Sequence, residues 1–187
     1  MTVDTASEFA QILQTRRTIH RFRPDPIPEA ALERALAAAI LAPNHGLTEP
    51  WRFYLPGPQT ALQLVSLNTS LVAAGAGPER AAEKEALWRA VPRWLVLTAV
   101  CSADPLRARE DYAACACAAQ NLALALWSEG IGMKWTTGPV TRTREFLELM
   151  WIDGAAEEVV GLMMIGYPAE VPPVNRRPAA SFRVELP

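Results

Sequence analysis

The sequence predicts an α+β or mixed α/β fold in which helices cover one small sheet. Three observations lead there. Helical and strand-like patterns alternate along the chain, with no internal repeat and no linker. The run Trp94 to Cys101 is continuous, partly β-branched and short, as suits a strand buried on both faces. The stretch from about Glu110 to Glu129 carries Ala, Cys, Leu and Trp on nearly every side, interrupted only by Gln120, Asn121 and Ser128, so it reads as a central helix.

Thr5 with Glu8 three residues later is a capping box, predicting a first helix through about Gln14. In PEAALERALAAAILAP, Leu32, Ala35, Leu36, Ala39 and Ile40 trace one helical face, and Pro43 stops the helix. Trp51, Phe53 and Leu55 alternate with Arg52 and Tyr54, a short strand ending at Pro56. Helical patterns at about 59–72 and 78–90 flank Ala73–Gly77, expected to be a flexible loop. Gly130 is placed to take the left-handed conformation after the long helix, leaving Ile131 to Thr136 as a third strand. A helix at about 141–150 and a strand at about 158–166 follow. The Pro- and Arg-rich segment 168–187 is a tail able to lend a strand to a second subunit, within a single domain spanning 1–187.

Half of the residues are hydrophobic and a fifth are charged, a balance that excludes a disordered chain. A net charge of -2 gives no overall pull toward nucleic acid or anionic membrane. No apolar run reaches the roughly 18 residues of a membrane helix, and Asp4 and Glu8 stand where a signal peptide would be basic and then apolar. The expectation is a soluble, cytoplasmic protein. Cys101, Cys115 and Cys117 lie in apolar stretches and read as reduced core residues.

Scarce groups narrow the chemistry. His20 and His45 are the only histidines, Cys115 and Cys117 are spaced onto different sides of a helix, and no metal site is expected. The nucleophile elbow G-x-S-x-G is missing, as are G-x-G-x-x-G and the P-loop, so a nucleotide must be held another way. The segment TRRTIHRFRP offers one: Arg16, Arg17, Arg21 and Arg23 fall within eight residues, with Thr18 and His20 among them and no acid before Asp25. Guanidinium forks grip phosphate bidentately and a threonine hydroxyl adds a donor. By itself the segment also fits a solvated basic turn or a nucleic-acid patch, the latter disfavoured by the acidic balance and the lack of interleaved aromatics.

Arg16-Arg17-Thr18, then Phe-x-x-x-Pro-Ile-Pro and a helix ending in Ala42-Pro43, resembles the R-R-S opening of the nitroreductase family. The block Asn44 to Phe53 resembles that family's A-P-[SD]-x4-Q-P-W-x-F, nearest to a compact branch that reads A-P-D-H. Asn121-Leu122, Gly130-Ile131-Gly132, Trp135-Thr136-Thr137-Gly138 and Gly166-Tyr167-Pro168-Ala169-Glu170 follow in family order. The resemblance implies a three-layer fold with a mixed central sheet of about four strands and a C-terminal strand exchanged between subunits. It also implies bound FMN, NAD(P)H as electron donor, and a homodimer with the active site at its interface.

Carried over residue by residue, the resemblance gives Arg16 and Thr18, with Arg176 or Arg177, to the FMN phosphate. Arg17 either joins them or forms a structural ion pair. His20 or Arg21 occupies the place of a polar or cationic contact to the flavin pyrimidine. Lys84, one of two lysines in the chain, stands where relatives carry a pyrimidine-contacting lysine, or else pairs on the surface with Glu83 or Glu85. Pro43, Asn44 and His45 lie against the partner's flavin, His45 alternatively packing beside Trp51. Trp135, Thr136, Thr137 and Gly138 run along the ring, a backbone N–H near N5 tuning hydride acceptance. Ping-pong hydride transfer to a nitroaromatic or quinone follows, with no acid–base residue required and none named. Glu49 replaces the family's Gln and is expected to point to backbone or to an arginine. Rival readings are a specialised flavin enzyme without external NAD(P)H, a non-catalytic FMN-binding dimer, and a basic-turn interaction protein.

Overall fold

The structure, a computed structural model, describes residues 5–187. Helix α1 (Thr5–Thr15) starts where the capping box predicts, and the cap side chain itself lies outside the described residues. After it come α2 (Glu29–Ala39), β1 (Trp51–Tyr54), α3 (Pro58–Ala76), α4 (Pro78–Arg89) and β2 (Arg93–Val100). Then follow α5 (Pro105–Ser128), β3 (Gly132–Thr136), α6 (Arg144–Met150) and β4 (Glu157–Gly166). The tail holds no strand, only a 3-10 turn at Ala179–Phe182.

The four strands lie in the order β1-β2-β4-β3, and every pairing is antiparallel, where a mixed sheet was expected. The parallel element is confined to one bridge between Thr18 and Met133 at the β3 edge. Helices on both faces make three layers. Strand alternation sends Leu95, Leu97 and Ala99 into one core with α2 and α5, and Trp94 and Val96 into another with Leu64, Trp88 and Phe146. In β4 the alternation breaks. Leu97 pairs with Gly161 and Thr98 with Val159, so Val160 is an extra residue, a bulge. The Trp135 Nε1–H donates to the freed Val160 carbonyl at 3.0 Å, and the indole fills the space that a side chain at 161 would need.

Helix α3 runs through Ala73–Ala76, correcting the expected loop. Alanine is the best helix former and a lone Gly75 costs only about 1 kcal/mol, so the helix ends only at Gly77, with φ +85° ahead of Pro78. Helix α5 begins before the apolar stretch because Asp104 caps it, accepting from the Leu106 N–H at 2.9 Å, and Pro105 takes the first helical position. Gly130 ends it with φ +75°, as expected. Yet α5 is not covered all round. Cys115, Ala118, Leu122 and Leu126 are buried, whereas Leu124 and Ala125 line an open apolar groove with Phe9, Ile12 and Leu41, the last 80% exposed. No helix among the described residues is long and apolar enough to cross a membrane.

Only one cysteine is in the core. Cys115 is buried, its thiol pushed up to about 12 by burial and then by Asp111, while Cys101, just past β2, and Cys117, on the far side of α5, are exposed. A thiol reagent at pH 8 is therefore expected to label Cys101 and Cys117 in the folded protein and Cys115 only on unfolding, as mass spectrometry of the labelled peptides would reveal. Rapid labelling of Cys115 in native buffer would contradict this packing.

Candidate functional site

The cationic segment leaves α1 and runs along the β3 edge. The Ile19 N–H donates to the Met133 carbonyl at 3.2 Å, and the Arg23 N–H to Tyr167 at 2.9 Å. Side chains 19 and 22 turn inward, both buried, which turns 16, 17, 18 and 20 toward the rim. The close approach needs glycine at 132, because the Ile19 side chain occupies the position of a Cβ there.

Arg16, Arg17, Thr18 and His20 line one cleft of about 210 Å³ with Pro172, Pro173, Val174 and Arg176. No acidic side chain is in the lining. Arg16 is held below its ordinary pKa, first by burial and then by the nearby charges of Arg176 and Arg17. Cations crowded this way with no acid in the lining leave their charge unneutralised. The adjacent prolines stiffen the wall that carries Arg176.

Other expected residues go elsewhere. Arg177 stacks on the Phe182 ring with its guanidinium carbon 4.4 Å from the centroid, and Arg21 pairs with Glu170 at 3.4 Å, so neither lines the cleft. Arg17 also donates to the Gln14 and Arg16 carbonyls, which makes it partly a structural residue. Lys84 pairs with neither neighbour, since Glu83 is engaged by Arg80 and Glu85 by Arg89. It acts instead on Lys134, a half-buried residue of β3 whose pKa is lowered first by burial and then by Lys84. Lys134 had no motif to mark it, and only its place two residues before Thr136 in the strand connects it to the site.

Trp135 closes the bulge described above, and Thr136 ends β3. Thr137 faces a larger cleft of about 740 Å³ with Tyr112, Cys101 and Arg142. Beside that cleft, Glu157 accepts hydrogen bonds from Tyr54 at 2.8 Å and from Thr98, tying three strands together. Gly138 precedes the turn Pro139–Arg142.

The block 43–49 lines no part of the cationic cleft and is tied instead to α5 near Asp111. Asn44 is internal to the loop: its Oδ1 accepts the Glu49 N–H at 3.0 Å and its amide donates to the Ala42 carbonyl. Pro43 is exposed. His45 lies 3.5 Å from Glu110 and is exposed. The Thr48 hydroxyl donates to the buried Asp111 at 2.6 Å. The Glu49 carboxylate is exposed and makes no ion pair among the described residues, where an arginine or backbone partner was expected; its N–H donates to Asn44. Among the described residues no three His, Cys, Asp or Glu side chains converge as a metal cage.

The nitroreductase family profile matches residues 13–167. The chain belongs to the nitroreductase family. It is 30% identical over 176 residues to YfhC of Bacillus subtilis (strain 168), an NAD(P)H nitroreductase by name, covering 91% of this chain and 90% of that protein. A nitroreductase-like family protein from Bacillus cereus superposes with TM-score 0.81 at 25% identity, over 95% of each chain. A Desulfovibrio desulfuricans structure, described as a nitroreductase in complex with FMN, shares the fold with TM-score 0.74 at 22% identity and 96% coverage of both chains.

Because the cleft depends on the approach of Ile19 to Gly132, Gly132→Ala is expected to cost about 1–3 kcal/mol in urea unfolding through overpacking. A change within about 0.5 kcal/mol would mean that the segment is not held tightly there.

Proposed function

We propose that the protein is an FMN-dependent oxidoreductase that passes hydride from NAD(P)H to an oxidised acceptor such as a nitroaromatic or a quinone, working as a homodimer. The observation that carries this reading is the acid-free cleft in which Arg16 and Thr18, after α1, converge with Arg176 of the C-terminal tail. The residues fit the group: a phosphate monoester satisfies clustered guanidinium and hydroxyl donors and offsets the repulsion from Arg176 and Arg17 that adds to burial in lowering Arg16. The family membership and the name of the Bacillus subtilis relative support the same activity.

In this reading Arg16, Thr18 and Arg176 hold the FMN phosphate, with Arg17 and His20 at the rim. Thr136, Thr137 and Gly138 lie along the ring, and Lys84 places its cation toward the pyrimidine. Bound FMN supplies reversible hydride acceptance. The protein's part is to anchor the cofactor at one end, exclude water and present positive charge, so no side chain has to exchange a proton with substrate.

Two distances favour a site shared between subunits. Thr15 accepts from Trp127 at 3.0 Å, which sets the cationic segment beside the C-terminal end of α5, while Thr48 is bonded to Asp111 near the other end. At 1.5 Å per residue these contacts are about 24 Å apart along the helix. One FMN does not span that, so the 43–49 block serves a flavin held by a second copy. The open groove of Phe9, Leu41 and Leu124 offers the apolar surface for such pairing.

Purified protein is expected to show a flavin absorbance band, or to take up added FMN, and anaerobic NADH or NADPH should bleach it. Absence of the band and of uptake would sink the reading. Arg16→Ala should weaken FMN retention by about 1.5–3 kcal/mol, the worth of a charge-assisted phosphate contact, as measured by flavin fluorescence titration. Unchanged retention would remove Arg16 from the phosphate site.

A further inference from the structure

The cleft of about 740 Å³ opens where β2 and β3 end and β4 begins, and it shares no residue with the cationic cleft. Two of the elements that line it carry opposite charge. The first is the connection after β3, where Thr137 precedes and Arg142 closes the turn Pro139–Arg142. The buried Thr141 donates its hydroxyl to the Gly138 carbonyl at 2.9 Å and fixes that turn, so Arg142 is presented from a rigid base. The second is the start of β4, with Glu157 and Glu158. Glu157 is half-buried and held by the Tyr54 hydroxyl at 2.8 Å and by Thr98, two neutral donors, with no cation paired to it. Arg142, Glu158 and the hydroxyls of Thr137 and of half-buried Tyr112 have no hydrogen-bond or ion-pair partner among the described residues. An Arg142–Glu158 pair would bridge the cleft; the fold leaves the two signs of charge apart instead.

We propose that this cleft binds a small zwitterion bearing one carboxylate and one ammonium group. Arg142 takes the carboxylate, aided by the Thr137 and Tyr112 hydroxyls, and Glu157 and Glu158 take the ammonium. A ligand of one sign is drawn to one element and repelled by the other, and an uncharged ligand gains from neither. Only a dipolar molecule satisfies both. Leu147 and Val159, which also line the cleft, face the carbon chain between the two charges. The volume lies within the roughly 300–1,000 Å³ usual for small-molecule sites. This site goes beyond the flavin reading and does not rest on it. Arg16, Thr18 and Arg176 are not in its lining, and Thr137 alone is common to it and the stretch assigned to the flavin ring.

Cys101 lines the cleft and Cys117 does not, and both are exposed, so the two thiols supply a reporter and its internal control. The purified protein is labelled with a thiol reagent in the presence of glycine, 4-aminobutanoate or 6-aminohexanoate, whose charges are progressively further apart. Hexanoate and hexylammonium are the one-charge counterparts. At millimolar concentration at least one of the amino acids should slow labelling of Cys101 by about 5-fold, with Cys117 unaffected, and neither counterpart should do so. Arg142→Gln should raise the concentration needed for protection by about 10-fold, and Arg142→Lys, which keeps the charge, should recover most of it. Glu158→Gln should weaken protection in the same direction and serves if Arg142→Gln fails to fold. Three results overturn the proposal: no amino acid protects Cys101, a one-charge counterpart protects it equally, or protection is unchanged in both Arg142→Gln and Glu158→Gln. The flavin band of the same sample tests the cofactor reading separately.

Discussion

The Ile19 N–H to Met133 carbonyl bond decides where four cationic or polar side chains are displayed. With Ile19 seated over Gly132, the segment runs beside β3 with Ile19 and Phe22 inward, and Arg16, Arg17, Thr18 and His20 are carried to the rim. A side chain at 132 would push the segment off the sheet edge and separate Arg16 from Arg176. The cleft is therefore less a property of the arginines than of the glycine that lets their backbone come close.

Electrostatics then does what geometry prepares. Like charges brought together in a partly dehydrated cleft raise its free energy, and nothing in the lining relieves it. A dianionic ligand offsets that repulsion and the lost hydration together. The same imbalance recurs on a smaller scale where Lys84 approaches Lys134. Elsewhere several arginines are paired with acids, as Arg34 with Glu129 and Arg144 with Glu148, whereas among the described residues Arg16, Arg17 and Arg176 meet none.

Much of this was legible in the sequence, for identifiable reasons. Strand β2 is buried on both faces and so writes a continuous apolar run; Gly130 takes its left-handed conformation, and members of the arginine-rich segment gather in one cleft because they are close in the chain. What escaped depends on contacts distant in the chain. The bulge at Val160 is set by Trp135, twenty-five residues away. Helix α3 passes Gly75 because the alanines around it outweigh one glycine and because Leu64 and Val65 already anchor it in the core, the second of which residues 73–77 do not carry. Apolar neighbours suggested three core cysteines, but helix phase leaves Cys117 outside. Lys134 and Arg142 belong to no motif, and only burial in one case and a shared cleft in the other draws them out.

The cleft is drawn from both sides of the sheet in chain order. Arg16 precedes β1, and Arg176 follows β4. As the chain emerges from synthesis, every strand is available before the Pro172–Arg176 wall exists. A chain halted after Gly166 thus has all its sheet and only half of the cationic cleft, so completion of that cleft reports that translation has passed residue 176.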